Sequence, residues 1–532
     1  MSDAKAFVAP ARLIAVLTLL SRILGLAREM AYAYFFGAGP ALSAFRVAYQ
    51  LPNLARRLFG EGALSAAFIP TLSDCLHQRG ELEARRLAGT VLTLLAILLT
   101  ALVVVGQVGI AVAQEWRATP SLTLRLTTLM LPYMPLVCMT AFLGAALNVL
   151  RRFAAPAFAP VLVNLCMLAG ICGGAWGLGW SDRSLLDLAC AAVLAGGVAQ
   201  LTLVLVNLRR AGFQPILALQ WRRPDVRQMV AQMGPMILGM SVLQINTFVD
   251  SLIALFLVPD GRGPAVLGFA QFFYQFPLGV LGVALGTAIF PLLSARASAG
   301  DLPGVARACA QGIRMSLFIG LPSAVGMCVL AEPFIRVFFE RGEFQAGDTV
   351  RASRALLFYG TGVWAYFLQQ ILVRTFYALK DSRTPVRVAV RMVLLNATLN
   401  LVLVFPMGEA GVALSTAICA TLQVVWLSWV LRTRLPSLRT RWIGAGVWRI
   451  GLASLVLMIV VVLPAQLGRA RWTALAPSLQ VGVGVTLGVL AYAAAAWALR
   501  LDELRELLRF RSGSRAGSAR RKHASGGARP TG

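Results

Sequence analysis

Charged side chains are scarce in this chain, and acidic ones are the scarcest. Asp, Glu, Lys and Arg make up 13% of the 532 residues, with 22 Asp/Glu against 49 Lys/Arg. Hydrophobic residues reach 58%, and the mean hydropathy is +0.74. Soluble globular proteins are about 25% charged and 45–50% apolar. The composition therefore excludes that class and indicates a polytopic membrane protein.

Metal-binding and catalytic motifs are also missing from the sequence. There are only two histidines, His77 and His523, and the eight cysteines form no C-x-x-C pair. The sequence therefore predicts neither a zinc site nor a disulfide framework. G-x-S-x-G, H-E-x-x-H, P-loop and paired-Asp motifs do not occur either, so we expect a protein that is not an enzyme and carries no cofactor.

Apolar segments of membrane-spanning length recur along the whole chain. They lie near residues 12–36, 41–72, 87–114, 122–150, 156–178, 185–208, 229–258, 264–294, 311–335, 353–377, 387–405, 409–431, 444–465 and 474–499. At roughly 20 residues a span, they predict an all-α polytopic fold of about fourteen transmembrane helices. The first two segments contain enough charge for a hydropathy scan to miss them.

The distribution of the +27 net charge predicts the orientation of the chain. Clusters of arginine between predicted helices, at 209–227 and 432–441, fall on one side of the membrane if the N-terminus is cytoplasmic. An even helix count returns the C-terminus to the same side. The Ser/Gly/Arg-rich tail, 500–532, is expected to be disordered and attracted to anionic lipid headgroups. Nucleic acid is not an expected partner, although RNA binding by the tail stays an alternative.

Two short motifs occur twice in the same order. GALSAAFIPTLS at 62–73 matches VALGTAIFPLLS at 283–294, and YQLP at 49–52 matches YQFP at 274–277. The spacing predicts two homologous six-helix lobes, 1–215 and 216–435, followed by two additional helices within 436–499. Transporters built from such parallel repeats bind their substrate near the membrane midplane, between the lobes.

Residues 21–70 place an excess of arginine inside apolar sequence. The charged residues of this segment are Arg22, Arg28, Glu29, Arg46, Arg56, Arg57 and Glu61. An arginine at bilayer depth costs about 2.5 kcal/mol or more unless it faces a cavity or a partner. We therefore expect a cavity that binds an anion such as a diphosphate, with Arg28 unpaired inside it. The alternative is pairing with Glu29 and Glu61, or snorkelling to the membrane interface.

The geometry of a helix limits which of these arginines share a wall. Arg22 and Arg28 are six residues apart, about 60° from alignment, so both can line one side of a cavity. Arg56 and Arg57 are adjacent, so at most one of them points squarely inward.

A second polar set lies in the other predicted lobe. It comprises Asp250, Asn396, Asn400 and Thr416. Carboxylate, amide and hydroxyl oxygens suit a small hard cation such as Na⁺. A carboxylate within a span also calls for a cation, a proton or an arginine. Coupling to Na⁺ or H⁺ is one interpretation of this set, and ordinary hydrogen bonding between helices is the other.

Five motifs in order resemble one family of transporters. SRILGLARE, FFGAG, LPNLARRLFGEGALSAAFIP, QFPLGVLGVALGTAIFP and FYALKDSRTP, between about residues 15 and 435, are similar to the MurJ/MviN lipid II flippases of the MOP exporter superfamily. The resemblance implies a multi-pass inner-membrane protein that moves undecaprenyl-diphosphate-disaccharide-pentapeptide to the periplasmic leaflet for peptidoglycan synthesis and cell shape. It also implies that Arg22, Arg28 and Arg56 hold the diphosphate, and that Asp250, Asn396, Asn400 and Thr416 lie where some members bind a cation.

The chain departs from the family pattern at several positions. Gln271 and Phe272 replace an Asp-Arg pair, and Ser43 and Glu29 each replace an Asp. We expect Arg374 to supply the missing second-lobe arginine, with Arg46 as another candidate. The alternatives are an exporter of another polyprenyl-diphosphate glycolipid or of a small molecule, and a membrane scaffold that transports nothing. The expected partners are lipid II or a related lipid and the membrane lipids, with the chain acting as a monomer.

Overall fold

A computed structural model describes the backbone of residues 2–116, 121–177, 179, 182–438, 445–467 and 475–506. Within these ranges it describes all side chains except those of residues 2–12, 61–66, 182, 232, 234–243, 283, 445, 464–465 and 467. The side chain of Glu61 and the tail beyond residue 506 therefore lie outside the described part of the chain.

The secondary structure of the described ranges consists of helices, with no strand among them. The first half contains α1 (Ser2–Phe36), α2 (Pro40–Ala55), α3 (Ala63–Arg79), α4 (Glu81–Glu115), α5 (Leu122–Met130), α6 (Tyr133–Val149), α7 (Ala154–Cys172), α8 (Asp182–Arg210) and α9 (Pro224–Leu257). The second contains α10 (Gly263–Pro277), α11 (Val283–Ser298), α12 (Leu302–Val329), α13 (Ala331–Phe339), α14 (Ala346–Ala378), α15 (Arg383–Met407), α16 (Glu409–Arg434), α17 (Ala445–Leu467) and α18 (Pro477–Ala498).

The helices confirm the predicted all-α membrane fold. Among the described residues, eleven helical stretches are long and apolar enough to cross a membrane. The charged segments predicted at 12–36 and 41–72 are not among the eleven, but they coincide with α1 and with α2–α3. The predicted span 229–258 lies on α9. Every predicted span thus coincides with a helix, while the count of fourteen crossings stays a prediction.

The repeated motifs share a break in helical geometry. A π-helical segment, Arg56–Gly62, joins α2 to α3, and a second one, Leu278–Gly282, joins α10 to α11. Proline precedes both breaks: Pro52 lies inside α2, and Pro277 ends α10. A proline inside a helix lacks an N–H donor and clashes with the carbonyl four residues earlier, and such disruption favours local rearrangement. The internal repeat therefore extends from the sequence to the backbone.

The described chain divides into two compact units. The first contains the described residues up to Phe269 together with Phe338–Thr349 and Asn396–Val412, and the second contains Ala270–Val337, Val350–Leu395 and the described residues from Ala413 onward. Helix α9 packs against α2 and α3 within the first unit. Packing units therefore differ from the homologous lobes 1–215 and 216–435, whose boundaries stay a prediction.

Each unit has its own apolar core. In the first unit, α7 packs on α1 and α8, and Phe68 contacts Phe142 with ring centroids 4.3 Å apart. In the second, buried side chains of α12, α14 and α16 form one cluster with α17, including Ile371, Leu427 and Ile450. Helix α18 joins this core, and Tyr492 donates a hydrogen bond to the carbonyl oxygen of Phe318 at 2.8 Å.

One end of the first unit depends on close backbone contacts. Gly37 and Gly342 have φ of 57° and 60°, and a Cβ at either would lie within 2.5 Å of a carbonyl oxygen, of Glu343 and Tyr34 respectively. The Glu343 N–H donates to the Tyr34 carbonyl at 2.9 Å. The hydroxyl of Ser43 accepts from the Ala265 N–H at 3.1 Å. Ser43 thus satisfies a backbone donor in the first turn of α10.

Candidate functional site

A cavity of about 430 Å³ lies within the first unit, among α1, α2, α6, α7 and α8. Its polar lining residues are Arg28, Tyr49, Asn53, Arg56, Tyr133, Thr140, Asn148, Asn164 and Gln200. On α6 the lining positions recur every three or four residues from Tyr133 to Asn148, as one face of a helix requires. Two arginines and no carboxylate belong to the described lining, so the cavity favours an anion.

Arg28 is held in the cavity by two partners. One guanidinium nitrogen, Nη1, donates to Asn164 Oδ1 at 3.0 Å, and Nη2 donates to Glu29 Oε1 at 2.9 Å. The other Glu29 oxygen accepts from Arg46 at 2.6 Å. The expectation that Arg28 is unpaired is therefore wrong, because Glu29 neutralises one of the two arginines. The Arg28–Glu29–Arg46 triad keeps one positive charge in excess.

The adjacent pair Arg56 and Arg57 separates as the sequence predicts. Arg56 lines the cavity, and its Nε donates to Asn53 Oδ1 at 3.3 Å. The exposed Arg57 instead donates to Gln244 Oε1 of α9 at 2.5 Å. Arg22 is half-buried on α1 and does not line this cavity, so it shares no wall there with Arg28. A role for Arg22 in substrate binding stays a prediction.

The second polar set is assembled in part within the first unit. Asp250 is 3% exposed, and its two carboxylate oxygens accept from Asn400 at 2.6 Å and from Asn246 at 3.2 Å. Asn400 also donates to Asn396 Oδ1 at 3.0 Å. Three of the four predicted residues therefore form one network, while Thr416 belongs to the second unit.

A cation at Asp250 would need oxygen atoms of the neighbouring amides to face it. Amide nitrogens face the Asp250 carboxylate, which is a hydrogen-bonding arrangement. Rotation of the Asn246 and Asn400 amides by 180° would turn their oxygens towards a cation, and the two orientations are nearly isosteric. In the described residues, no group of three or more His, Cys, Asp or Glu forms a metal site. The described geometry is that of a hydrogen-bonded network, and a monovalent cation at Asp250 stays a prediction that requires these amides to rotate.

Arg374 lies in the second unit, against the repeated motif of α11. A Cβ built at Gly286 would lie 2.5 Å from Arg374 Nη1, so only glycine leaves room for this guanidinium. The buried Nη1 forms no hydrogen bond with the described residues. At the family's Asp-Arg positions, Gln271 donates to the Tyr359 hydroxyl at 3.1 Å, and the Phe272 ring lies 6.0 Å from Phe273.

Several cavity residues were not predicted from the sequence. Asn164 orients Arg28, and Tyr49 stacks on Tyr133 with ring centroids 6.0 Å apart. Tyr274, the first residue of the second YQxP motif, likewise stacks on Tyr366 at 5.5 Å. The tyrosine of the repeated YQxP motif could therefore have been predicted as a cavity residue, whereas no motif around Asn164 indicates its contact with Arg28.

Comparison with solved structures first defines the class. A multidrug MATE-family transporter of the MOP superfamily, in an inward-facing conformation, matches with a TM-score of 0.67 over 81% of this chain and 99% of that chain, at 14% identity. A structure titled lipid II flippase MurJ, inward closed conformation, matches with a TM-score of 0.76 over 93% of this chain and 99% of that chain, at 24% identity. The fold is therefore that of the MOP transporters.

Sequence comparison then defines the family. The family model for lipid II flippase MurJ matches residues 32–498. The lipid II flippase MurJ of Burkholderia cenocepacia is 34% identical over 438 residues, 78% of this chain and 82% of that protein. A probable lipid II flippase MurJ of Rhizobium tropici is 32% identical over 465 residues, 84% and 83% of the two chains. The chain belongs to the MurJ lipid II flippase family.

Proposed function

We propose that this chain moves lipid II, an undecaprenyl-diphosphate-disaccharide-pentapeptide, across the bacterial inner membrane by alternating access. The observation that carries the proposal is the cavity of the first unit, whose described lining includes Arg28 and Arg56 and in which the Arg28–Glu29–Arg46 triad keeps one positive charge in excess. The family membership supplies the substrate class, and the arginines supply the chemistry that a diphosphate requires. The N- and C-termini are cytoplasmic, and the protein acts as a monomer without enzymatic activity.

The triad positions Arg28 for the diphosphate. Arg28 and Arg46 compete for one buried carboxylate, so an incoming anion gains the excess positive charge without displacing Glu29. Arg28 Nε is buried and forms no hydrogen bond with the described residues, so a donor remains for an oxyanion. Planar guanidinium groups bind such oxyanions bidentately and stay charged at every relevant pH. Lobe movement then exposes the headgroup to the periplasmic leaflet while the lipid tail stays in the bilayer.

Return of the empty transporter requires an energy source, which we assign to Na⁺ or H⁺ at Asp250. The carboxylate is buried, and within the described part of the chain its partners are the amides of Asn246 and Asn400. Binding a cation or a proton there removes the cost of an uncompensated charge in a membrane span. One charge crossing the membrane potential contributes about 2.3 kcal/mol per 100 mV. Asn396, Asn400 and Thr416 are the proposed additional ligands.

A growth assay compares the effect of removing the charge of Arg56 with that of removing the charge of Arg57. In a bacterium depleted of its own flippase, the wild-type chain and Arg57→Gln should both support growth, because Arg57 is exposed and bonded to Gln244. Arg56→Gln should not support growth at equal abundance, because it removes a cavity charge. Growth with Arg56→Gln, or failure of the wild type, would contradict the proposal.

One observation favours a second candidate, an exporter of a different polyprenyl-diphosphate glycolipid. Gln271 and Phe272 occupy the places of the family's second-lobe charge pair, and Gln271 is engaged by Tyr359. Fewer arginines suit a glycolipid whose headgroup carries less negative charge beyond its diphosphate. This candidate would be favoured if the wild-type chain restored growth of a strain that lacks another glycolipid exporter but not of a strain depleted of its lipid II flippase.

A further inference from the structure

The cavity wall formed by α6 extends well beyond the arginines. Its lining face runs from Tyr133 to Asn148, about 22 Å at 1.5 Å per residue. The π-helical segment that carries Arg56 packs at Gly60, where an added Cβ would lie 2.8 Å from Ala141 Cβ. The same Cβ would lie 3.6 Å from Arg56 Cγ, so the Arg56 side chain passes close to Ala141, and Asn148 is seven residues, about 10 Å, further along α6.

Small, uncharged residues line the stretch between Arg56 and Asn148. Ala141, Gly144 and Ala145 of α6 face Pro156 and Ala159 of α7. A Cβ added at Gly144 would lie 3.4 Å from Pro156 Cβ, so α6 and α7 approach closely here and only small side chains leave this part of the cavity open. The stretch therefore presents small apolar side chains to the cavity, but no charge.

Asn148 differs from other asparagines near helix ends in having an unused side chain. It lines the cavity, is half-buried, and forms no side-chain hydrogen bond with the described residues. Asn207, close to the end of α8, is also half-buried, but its amide donates to the Leu203 carbonyl at 2.9 Å. The Asn148 amide thus presents two donors and one acceptor to whatever occupies the cavity.

We infer that this stretch is a subsite for the neutral, N-acylated sugar attached to the diphosphate, with Asn148 as its positioning residue. The inference rests on the proposed function, because the arginines must hold the diphosphate for the sugar to reach Asn148. Small residues admit a ring, and an amide side chain pairs with hydroxyl and N-acyl groups. A site built around such hydrogen bonds discriminates against ligands that lack them, because its own polar group is then left unpaired.

The test compares two ligands and two matched variants of the full chain in detergent. The ligands are a polyprenyl diphosphate without sugar and the same lipid carrying one N-acetylhexosamine. Asn148→Leu keeps the side-chain size and removes the amide, and Asn207→Leu makes the same change away from the cavity. Asn148→Leu should weaken binding of the sugar-bearing lipid about three- to tenfold, the effect of one or two hydrogen bonds, and leave the bare diphosphate unchanged. Asn207→Leu should change neither affinity.

Three outcomes would overturn the inference. Equal losses for both ligands in Asn148→Leu, or no loss for either, would show that Asn148 reads no sugar, while the arginine site would stand. Binding of neither ligand by the wild type would refute the proposed function and the subsite together. Asn148→Ala, which adds no bulk, provides the same comparison should Asn148→Leu fail to fold.

Discussion

Because Arg28 and Arg46 share the carboxylate of Glu29, we expect that removing Glu29 destabilises the protein more than removing either arginine. Glu29 is 5% exposed and lies 2.9 Å from Arg28 and 2.6 Å from Arg46. Glu29→Gln leaves two neighbouring, mostly buried guanidinium groups without a counter-charge. Removing one partner of a buried ion pair costs about 3–5 kcal/mol. We expect a loss of that size in the free energy of unfolding.

Removing an arginine from the triad should have a smaller effect. Arg28→Gln leaves Glu29 paired with Arg46, so it loses about 1.5–3 kcal/mol, the contribution of a charged hydrogen bond. Adding Arg46→Gln to Glu29→Gln removes one of the two uncompensated charges, so the double variant should be more stable than Glu29→Gln alone by at least about 1 kcal/mol.

Unfolding in mixed detergent micelles, followed by tryptophan fluorescence, measures all four proteins under one condition. Two results would refute the reasoning. One is a Glu29→Gln protein as stable as Arg28→Gln, and the other is a double variant no more stable than Glu29→Gln alone. Either would mean that Glu29 is not the counter-charge that Arg28 and Arg46 share.

Three further predictions concern other parts of the chain. If Asp250 binds Na⁺, the wild type should melt at a higher temperature in Na⁺ than in K⁺, by mass action, and Asp250→Asn should abolish the difference; identical melting of the wild type in both salts argues against a Na⁺ site. If Arg374 replaces the missing charge, Arg374→Ala should stop transport and Phe272→Arg should restore it, whereas full activity of Arg374→Ala would exclude compensation. Gly342→Ala should destabilise the protein by more than about 1 kcal/mol, because φ is 60° and the Cβ would meet the Tyr34 carbonyl, while Gly347→Ala, with open space, should not; equal stability of the two variants would contradict this.

The sequence predicted the fold and the chemical character of the cavity because both depend on local patterns. Apolar runs of spanning length predicted the helices, and the charged residues inside such runs predicted a cavity with arginine in its lining, where Arg28 and Arg56 lie. Helical geometry also predicted that Arg56 and Arg57 differ, since at most one of two adjacent residues points squarely into a cavity. These inferences need only periodicity and the cost of a charge in a membrane.

Pairing between distant residues could not be predicted in the same way. Arg46 reaches Glu29 only because Gly268 of α10 leaves room, as a Cβ there would lie 2.2 Å from the guanidinium. Gly286 does the same for Arg374, and Asn164 contacts Arg28 across 136 residues of chain. Such contacts depend on how helices pack. A single sequence shows the residues but not which of them meet.

Reconstituted transport is the most direct test of the central claim, that a cavity of arginines carries lipid II across the membrane. Purified protein in liposomes containing labelled lipid II should expose the inner-leaflet label to an external reagent. Arg28→Ala should abolish this transfer at equal reconstitution, while the protein stays folded because Glu29 remains paired with Arg46 at 2.6 Å. No transfer by the wild type, or transfer by Arg28→Ala at the wild-type rate, would contradict the account.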